Sequence, residues 1–270
     1  MERETIICTK SNNSIILDMI KSGSFLLLNK ENLSSKIIVE KNQNVDVLIG
    51  DVLEGGEIHF EVKENANIHV SSLLNKSIKS FKITANMAQN SHISCHFADF
   101  IPGECHADIL INLDGVNSSC DWHLASLSVK QDNKKFDVSV NQNATGTTAR
   151  LNNYGVCRDM GKLLFSGICH IHNGSSSSKA HQNAKIMVFD ELNQGSAKPI
   201  LKIDENDVEA SHAAVVGKIS DDHIFYLTSR GLNEDEAKKL ITFGYLKPII
   251  NGFNDDEMKE KIEQLIEGTM

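Results

Sequence analysis

Histidine and cysteine are the residues of this chain best suited to chemistry. Eleven histidines occur, at 59, 69, 92, 96, 106, 123, 170, 172, 181, 212 and 223. Three follow a cysteine directly, in Cys95-His96, Cys105-His106 and Cys169-His170. Neighbours on a strand face opposite sides, so no such pair can clasp one metal ion in regular β structure. His170 and His172, two apart, can share a face and stand as secondary metal candidates. His212 is different: it is a lone histidine in the small-residue stretch Ala210-Ser211-His212-Ala213-Ala214. Small neighbours allow close approach by another backbone, and a neutral imidazole there can ligate a metal. The competing reading is a buried histidine bonded to a main-chain carbonyl, and residue chemistry alone favours it.

Other chemistry is hard to find. Six cysteines, at 8, 95, 105, 120, 157 and 169, make no C-x-x-C pair and fit no common zinc or ferredoxin spacing. In a reducing compartment they are expected as free thiols. No H-E-x-x-H, G-x-S-x-G or P-loop pattern appears. No carboxylate pair stands out by spacing, as a glycosidase-like site would require. No basic stretch is interleaved with aromatics, and Trp122 and Phe97 are expected in the core. The formal charge of −9, from 27 basic and 36 acidic residues, argues against nucleic acid or an anionic membrane surface as partner. The start, Met1 to Cys8, has no secretory apolar stretch, and no segment approaches the roughly 20 apolar residues of a bilayer span. The expectation is a cytoplasmic chain that is not an enzyme.

The elements that must hold these residues are short. Runs such as Ser14-Ile15-Ile16-Leu17, Phe25-Leu26-Leu27-Leu28, Lys36-Ile37-Ile38-Val39 and Phe136-Asp137-Val138-Ser139-Val140 read as strands. They also repeat. Asparagines at 42, 65, 90, 117 and 143 are 23, 25, 27 and 26 residues apart, most preceded by an alternating run. A period in this range signals a solenoid, in which each coil completes the burial and hydrogen bonding of the one before. Asparagine suits the corners because it tolerates left-handed backbone. An ordinary β-sandwich with turn-forming asparagines is the alternative. The serines at 175–178 read as a surface loop.

After residue 220 the period changes. Ser220 opens one helical stretch, with Gly231 as its stop. Asn233-Glu234-Asp235-Glu236 has the form of a capping box, and Ala237, Leu240, Ile241 and Gly244 should share one face. Pro248 should end or bend that helix. Asn254-Asp255-Asp256-Glu257 is a second capping box, followed by a stripe of Met258, Ile262, Leu265 and Ile266. The boundaries are therefore a β-helix core domain over 1–219 and a helical domain over 220–270.

Ordered motifs then become recognisable. They are Phe165-Ser166-Gly167-Ile168-Cys169-His170-Ile171, Ala180-His181-Gln182, Pro199 to Val208, Ser211 to Ile219, and Ile224 to Leu232, closing near Gly244. Together they resemble the C-terminal half of the SufB/SufD family, scaffold subunits of the SUF iron–sulfur cluster assembly machinery. The resemblance covers about residues 163 to 253. It implies a right-handed parallel β-helix followed by a small C-terminal α-helical domain, a mainly β fold. It implies pairing with a SufB-like subunit through the β-helix, and docking of SufC, an ABC-type ATPase, on the helices. His-Ala-Ala at 212–214, where B-type chains read His-Glu-Ala, and the absence of cysteine over 180–220 favour the D-type, a SufD-like scaffold of a SufBCD complex. His212 is then the first candidate for a cluster- or iron-related role. Phe225, Tyr226, Arg230, Gly231, Leu240 and Gly244 are candidates for the ATPase contact. No cofactor is expected to be held tightly by this chain alone. A transient iron–sulfur cluster or iron at the SufB–SufD interface would draw its thiolates from the partner. A homodimer of the isolated chain stays open. Rival readings are a B-type scaffold that accepts sulfur itself, through Cys157 or Cys169, a polysaccharide-active β-solenoid enzyme, and a filament-forming solenoid.

Overall fold

The computed structural model of the chain describes residues 5–6, 14–17, 25–28, 34–49, 55–74, 78–253 and 256–269. Alternating runs become strands because a period of two sends one set of side chains inward. Phe136, Val138 and Val140 are buried, whereas Asp137 and Ser139 between them are half-buried. Strands numbered in chain order alternate between two sheets. One sheet takes β1 (Thr5–Ile6), β3 (Phe25–Leu28), β5 (Asn44–Ile49), β7 (Asn67–Leu73), β9 (His92–Asp99), β11 (Ser119–Ser128), β13 (Thr148–Cys157), β15 (Ser178–Val188) and β17 (Val208–Lys218). The other takes β2 (Ser14–Leu17), β4 (Ser34–Val39), β6 (Gly56–Val62), β8 (Ile78–Met87), β10 (Glu104–Leu113), β12 (Asn133–Gln142), β14 (Lys162–Ile171) and β16 (Gln194–Ile203). Pairing within both sheets is parallel, so the chain coils and each coil adds a strand to each sheet. The result is a mainly β parallel solenoid rather than a sandwich of hairpins. Its core lies between the sheets and includes Phe60, Trp122, Phe136 and Phe165.

The coils lengthen along the chain. Register partners run Phe25, Asp46, His69, Ser94, Asp121, Arg150, His181 and Ser211, giving steps of 21, 23, 25, 27, 29, 31 and 30 residues. In the other sheet the inward residues Phe60, Ala85, Ile111, Val140 and Cys169 stay in register at steps of 25, 26, 29 and 29, so the alternation is kept by the pairing of the strands and not by the length of the coil. The solenoid therefore widens toward its C-terminal end.

One corner of each coil is a left-handed residue. Asn42, Asn65, Asn90 and Asn117 have φ of 62°, 56°, 54° and 58°. Their amides form a ladder: Asn65 Nδ2 donates to Asn42 Oδ1 at 3.2 Å, Asn90 to Asn65 at 3.0 Å, and Asn117 to Asn90 at 3.4 Å. Asn143 does not continue it. The next corner is Gly146 (φ +71°), then Ser177 (φ +58°), and Asn143 Nδ2 instead donates to Asp114 Oδ1 at 2.7 Å. The longer coil moves the corner three residues along the chain. The run 175–178 is likewise not a free surface loop. Ser175 and Ser178 are fully buried; Ser175 Oγ donates to the Gln142 carbonyl at 2.9 Å, and Ser178 Oγ accepts from Thr147 N at 3.1 Å.

Three helices follow: α1 (Asp221–Ser229), α2 (Glu234–Ile250) and α3 (Asp256–Thr269). Asn233 and Glu236 form the expected capping box, each side chain accepting from the other's backbone N–H, at 2.9 and 2.7 Å. Pro248 does not stop α2 at once. It sits in the last turn, where only one main-chain hydrogen bond is lost, and the helix runs on to Ile250. The second capping box falls on 254–255, outside the described residues. In α3, Met258, Ile262 and Ile266 are buried as the stripe requires. The face of α2 differs from expectation: Ala237, Leu246, Ile249 and Ile250 are buried, while Leu240 and Gly244 are exposed. The helices close a second apolar cluster on the solenoid flank. Ala98, Phe100, Ala125, Leu127, Val156 and Phe189 there meet Leu246, Ile249, Phe253 and Ile262. Among the described residues no helix is long and apolar enough to cross a membrane.

Candidate functional site

Among the described residues nothing is stacked on the last coil. β16 and β17 are the terminal strands of their sheets; nine of the eleven residues of β17 and five of the ten of β16 are exposed. Ile200, Ile203, Val215 and Val216 are 43%, 42%, 55% and 45% exposed, in positions whose counterparts in earlier coils lie within the stack. An open parallel edge presents unpaired N–H and C=O groups, a template for another chain. His212 lies on this edge in β17, in register with Gln182 of β15, and it is exposed rather than buried against a carbonyl. Ala210, Ala213, Ala214 and Gly217 around it leave room for an incoming backbone.

His170 and His172 come together as the two-residue spacing suggests, with ring centroids 3.6 Å apart. The stack adds a third group. Asp204, just after β16, accepts a hydrogen bond from His170 Nε2 at 2.7 Å. That hydrogen bond holds the Asp204 carboxyl below its ordinary range, while burial, with the charge of His170, lowers His172. A second cluster escaped sequence reasoning: His106, Asp108 and Asp137. Its signal was the H-x-D of β10 lying over the K-x-D of β12, visible only once the register is known. Burial alone would raise Asp137, but Lys135 and His106 together hold it below the ordinary carboxylate range.

A third group of histidines is structural. His69, His96 and His123 stack through successive coils, with centroids 5.0 and 4.5 Å apart, and Phe253 meets His96 edge-on at 5.9 Å. Burial, then the charges of His123 and His69, push His96 down to about 3, and its buried Nδ1 has no hydrogen-bond partner. The thiols are equally withdrawn. Cys95, Cys105, Cys120, Cys157 and Cys169 are buried and unbridged; Cys8 lies outside the described residues. Burial pushes Cys95 and Cys120 far above, and Cys157 and Cys169 up to about 12.

The helical candidates divide. Phe225 and Tyr226 of α1 are 73% and 55% exposed, and α1 buries no residue. Arg230, the C-cap, lays its guanidinium over the Tyr226 ring at 5.0 Å, and Gly231 turns the chain at φ +100°. Leu240 lines a 350 Å³ groove between α2 and α3 with Phe243 and Ile266, rimmed by Glu236, Lys239, Glu263 and Glu267. Gly244 is exposed on the same helix, with open space where a Cβ would stand.

Comparison with known proteins agrees with this architecture. Residues 26–245 match the family model described as SUF system FeS cluster assembly, SufBD core domain. The iron–sulfur cluster assembly protein SufD of Bacillus subtilis is 26% identical over 222 residues, covering 82% of this chain and 49% of that protein. SufD of Escherichia coli is 25% identical over 221 residues, covering 67% of this chain and 49% of that protein. A SufBD family protein of Mycobacterium leprae is 29% identical over 130 residues, covering 47% of this chain and 15% of that protein. The chain thus spans about half the length of the SufD relatives it matches. With the family model covering most of its coils and two SufD proteins aligned along them, the chain belongs to the SufBD core family and is most like SufD.

Proposed function

We propose that this chain is a non-catalytic, SufD-like scaffold in iron–sulfur cluster assembly. It pairs with a SufB-like subunit through β16 and β17 and docks a SufC-type ATPase through its helices. The observation that carries the reading is the uncovered last coil, with exposed valines and isoleucines and His212 on its edge. A solenoid end of this kind needs a cap, and a partner subunit supplies one. On this reading His212 is a ligand toward iron or a cluster whose thiolates come from the partner. The exposed aromatics of α1 and the groove beside Leu240 suit a helix or groove of the ATPase. The B-type alternative, in which Cys157 or Cys169 accepts sulfur, is disfavoured because a buried, protonated thiol is a poor nucleophile.

Co-purification with the cognate SufB-like and SufC-type proteins tests the two faces separately. Val215→Asp should abolish capture of the SufB-like subunit and leave the ATPase bound. Tyr226→Ala with Leu240→Asp should do the reverse. These substitutions are preferable to deleting the helices, which would uncover the second apolar cluster. Capture of both partners by both variants, or ATP hydrolysis by the chain alone, would contradict the proposal.

A further inference from the structure

We propose that His170, His172 and Asp204 form a site for a divalent transition metal, distinct from His212 and independent of the partner reading. Stacking builds it. His170 pairs with Lys202 and Ile171 with Ile203 in the parallel register of β14 and β16, and Asp204 follows directly, its N–H donating to the Ile171 carbonyl at 2.9 Å. One ligand atom from each of the three residues lies within 4.8 Å of the others. Two imidazoles and one carboxylate on one face are the donor set of iron(II), zinc and cobalt(II) sites with open positions. His170 Nε2 and Asp204 Oδ2 are already 2.7 Å apart in a hydrogen bond. Ligand bonds of about 2.1 Å would spread these two atoms to roughly 3.0–3.4 Å, an adjustment that exposed Asp204 can make. Asp204 is exposed and both histidines are half-buried, so an ion can reach the three from solvent.

The other three-residue cluster shows why the choice falls here. At His106, Asp108 and Asp137, the Lys135 ammonium already sits on the Asp137 carboxylate and takes the place a cation would need. Lys202 flanks His170 on the same face and opposes a cation, but it makes no ion pair with Asp204.

Titration of the untagged full chain with cobalt(II), read by its visible d–d absorption and by equilibrium dialysis, tests the site. The expected result is saturation at a single equivalent. His172→Gln and Asp204→Asn should each weaken binding on the order of tenfold or more, with unchanged circular dichroism, whereas His106→Gln should leave it as in the parent chain. Failure of the parent chain to take up cobalt(II) at a few times the protein concentration would overturn the proposal. So would a His172→Gln titration that superimposes on the parent's. Since His172 lies past the end of β14 at a corner, its variant keeps the fold even if changes at His170 do not.

Discussion

The thiols of Cys95, Cys120, Cys157 and Cys169 are raised by burial, so almost none of each is thiolate at neutral pH. A disulfide reagent should therefore leave these four and buried Cys105 unlabelled in the native chain and modify them on unfolding. Rapid native labelling of Cys157 or Cys169 would revive a sulfur-accepting role. At this scale the sequence disclosed types but not settings. Residue chemistry alone favours a buried His212, yet the side chain is exposed, because small neighbours suit an interface as well as a core. Lys134 shares the inward face with Phe136 and is fully buried, its charge met by Asp99 at 3.1 Å and by the carbonyls of Ile101 and Leu127, partners that the sequence does not announce. Asp204 lies 34 residues from His170, so only the register of β14 and β16 reveals the pair.

Among the elements, the corner ladder is the device that keeps coils in register. Left-handed backbone costs a non-glycine residue about 1–2 kcal/mol, which asparagine reduces by bonding locally. Asn90 also exchanges side-chain hydrogen bonds with Asn65 and Asn117. Asn90→Ala should destabilise the chain by about 2 kcal/mol, from strain and the lost bonds together. Asn90→Gly should recover much of that, since glycine accepts the positive φ. Urea midpoints of the two variants decide the point: equal losses would show that the ladder, not the backbone, carries the cost. The repeated asparagines made the solenoid legible, because corner chemistry is local. The fifth corner was not, because Gly146 obeys the same backbone demand with a different residue. The exposed face of α2 was also hidden, since periodicity reports an apolar stripe but not which part of it meets the flank.

For the molecule as a whole, attachment of the helices depends on uncharged imidazoles. His96 lies beneath Phe253 and Gly252, and a Cβ on Gly252 would fall 2.2 Å from His96 Nε2. Burial and the charges of His123 and His69 lower His96 to about 3, and burial lowers His69 and His123 as well, against Asp46 and Asp121. Above about pH 6.5, the ordinary histidine value, both folded and unfolded chains are neutral here and stability is level. Below it the unfolded chain takes up a proton that folded His96 refuses. Stability then falls with pH by up to about 1.4 kcal/mol per unit for this group. The urea midpoint should drop between pH 7 and 5, and His96→Leu should flatten that drop. A parallel drop in the variant would assign it to other groups.

The lengthening of the coils has one more consequence. The open end is also a broad one: β16 and β17 offer ten and eleven residues of main chain, where β6 and β7 have seven each. A mate that reads this edge through peptide groups gains more ladder bonds here than a section through the earlier coils would give it.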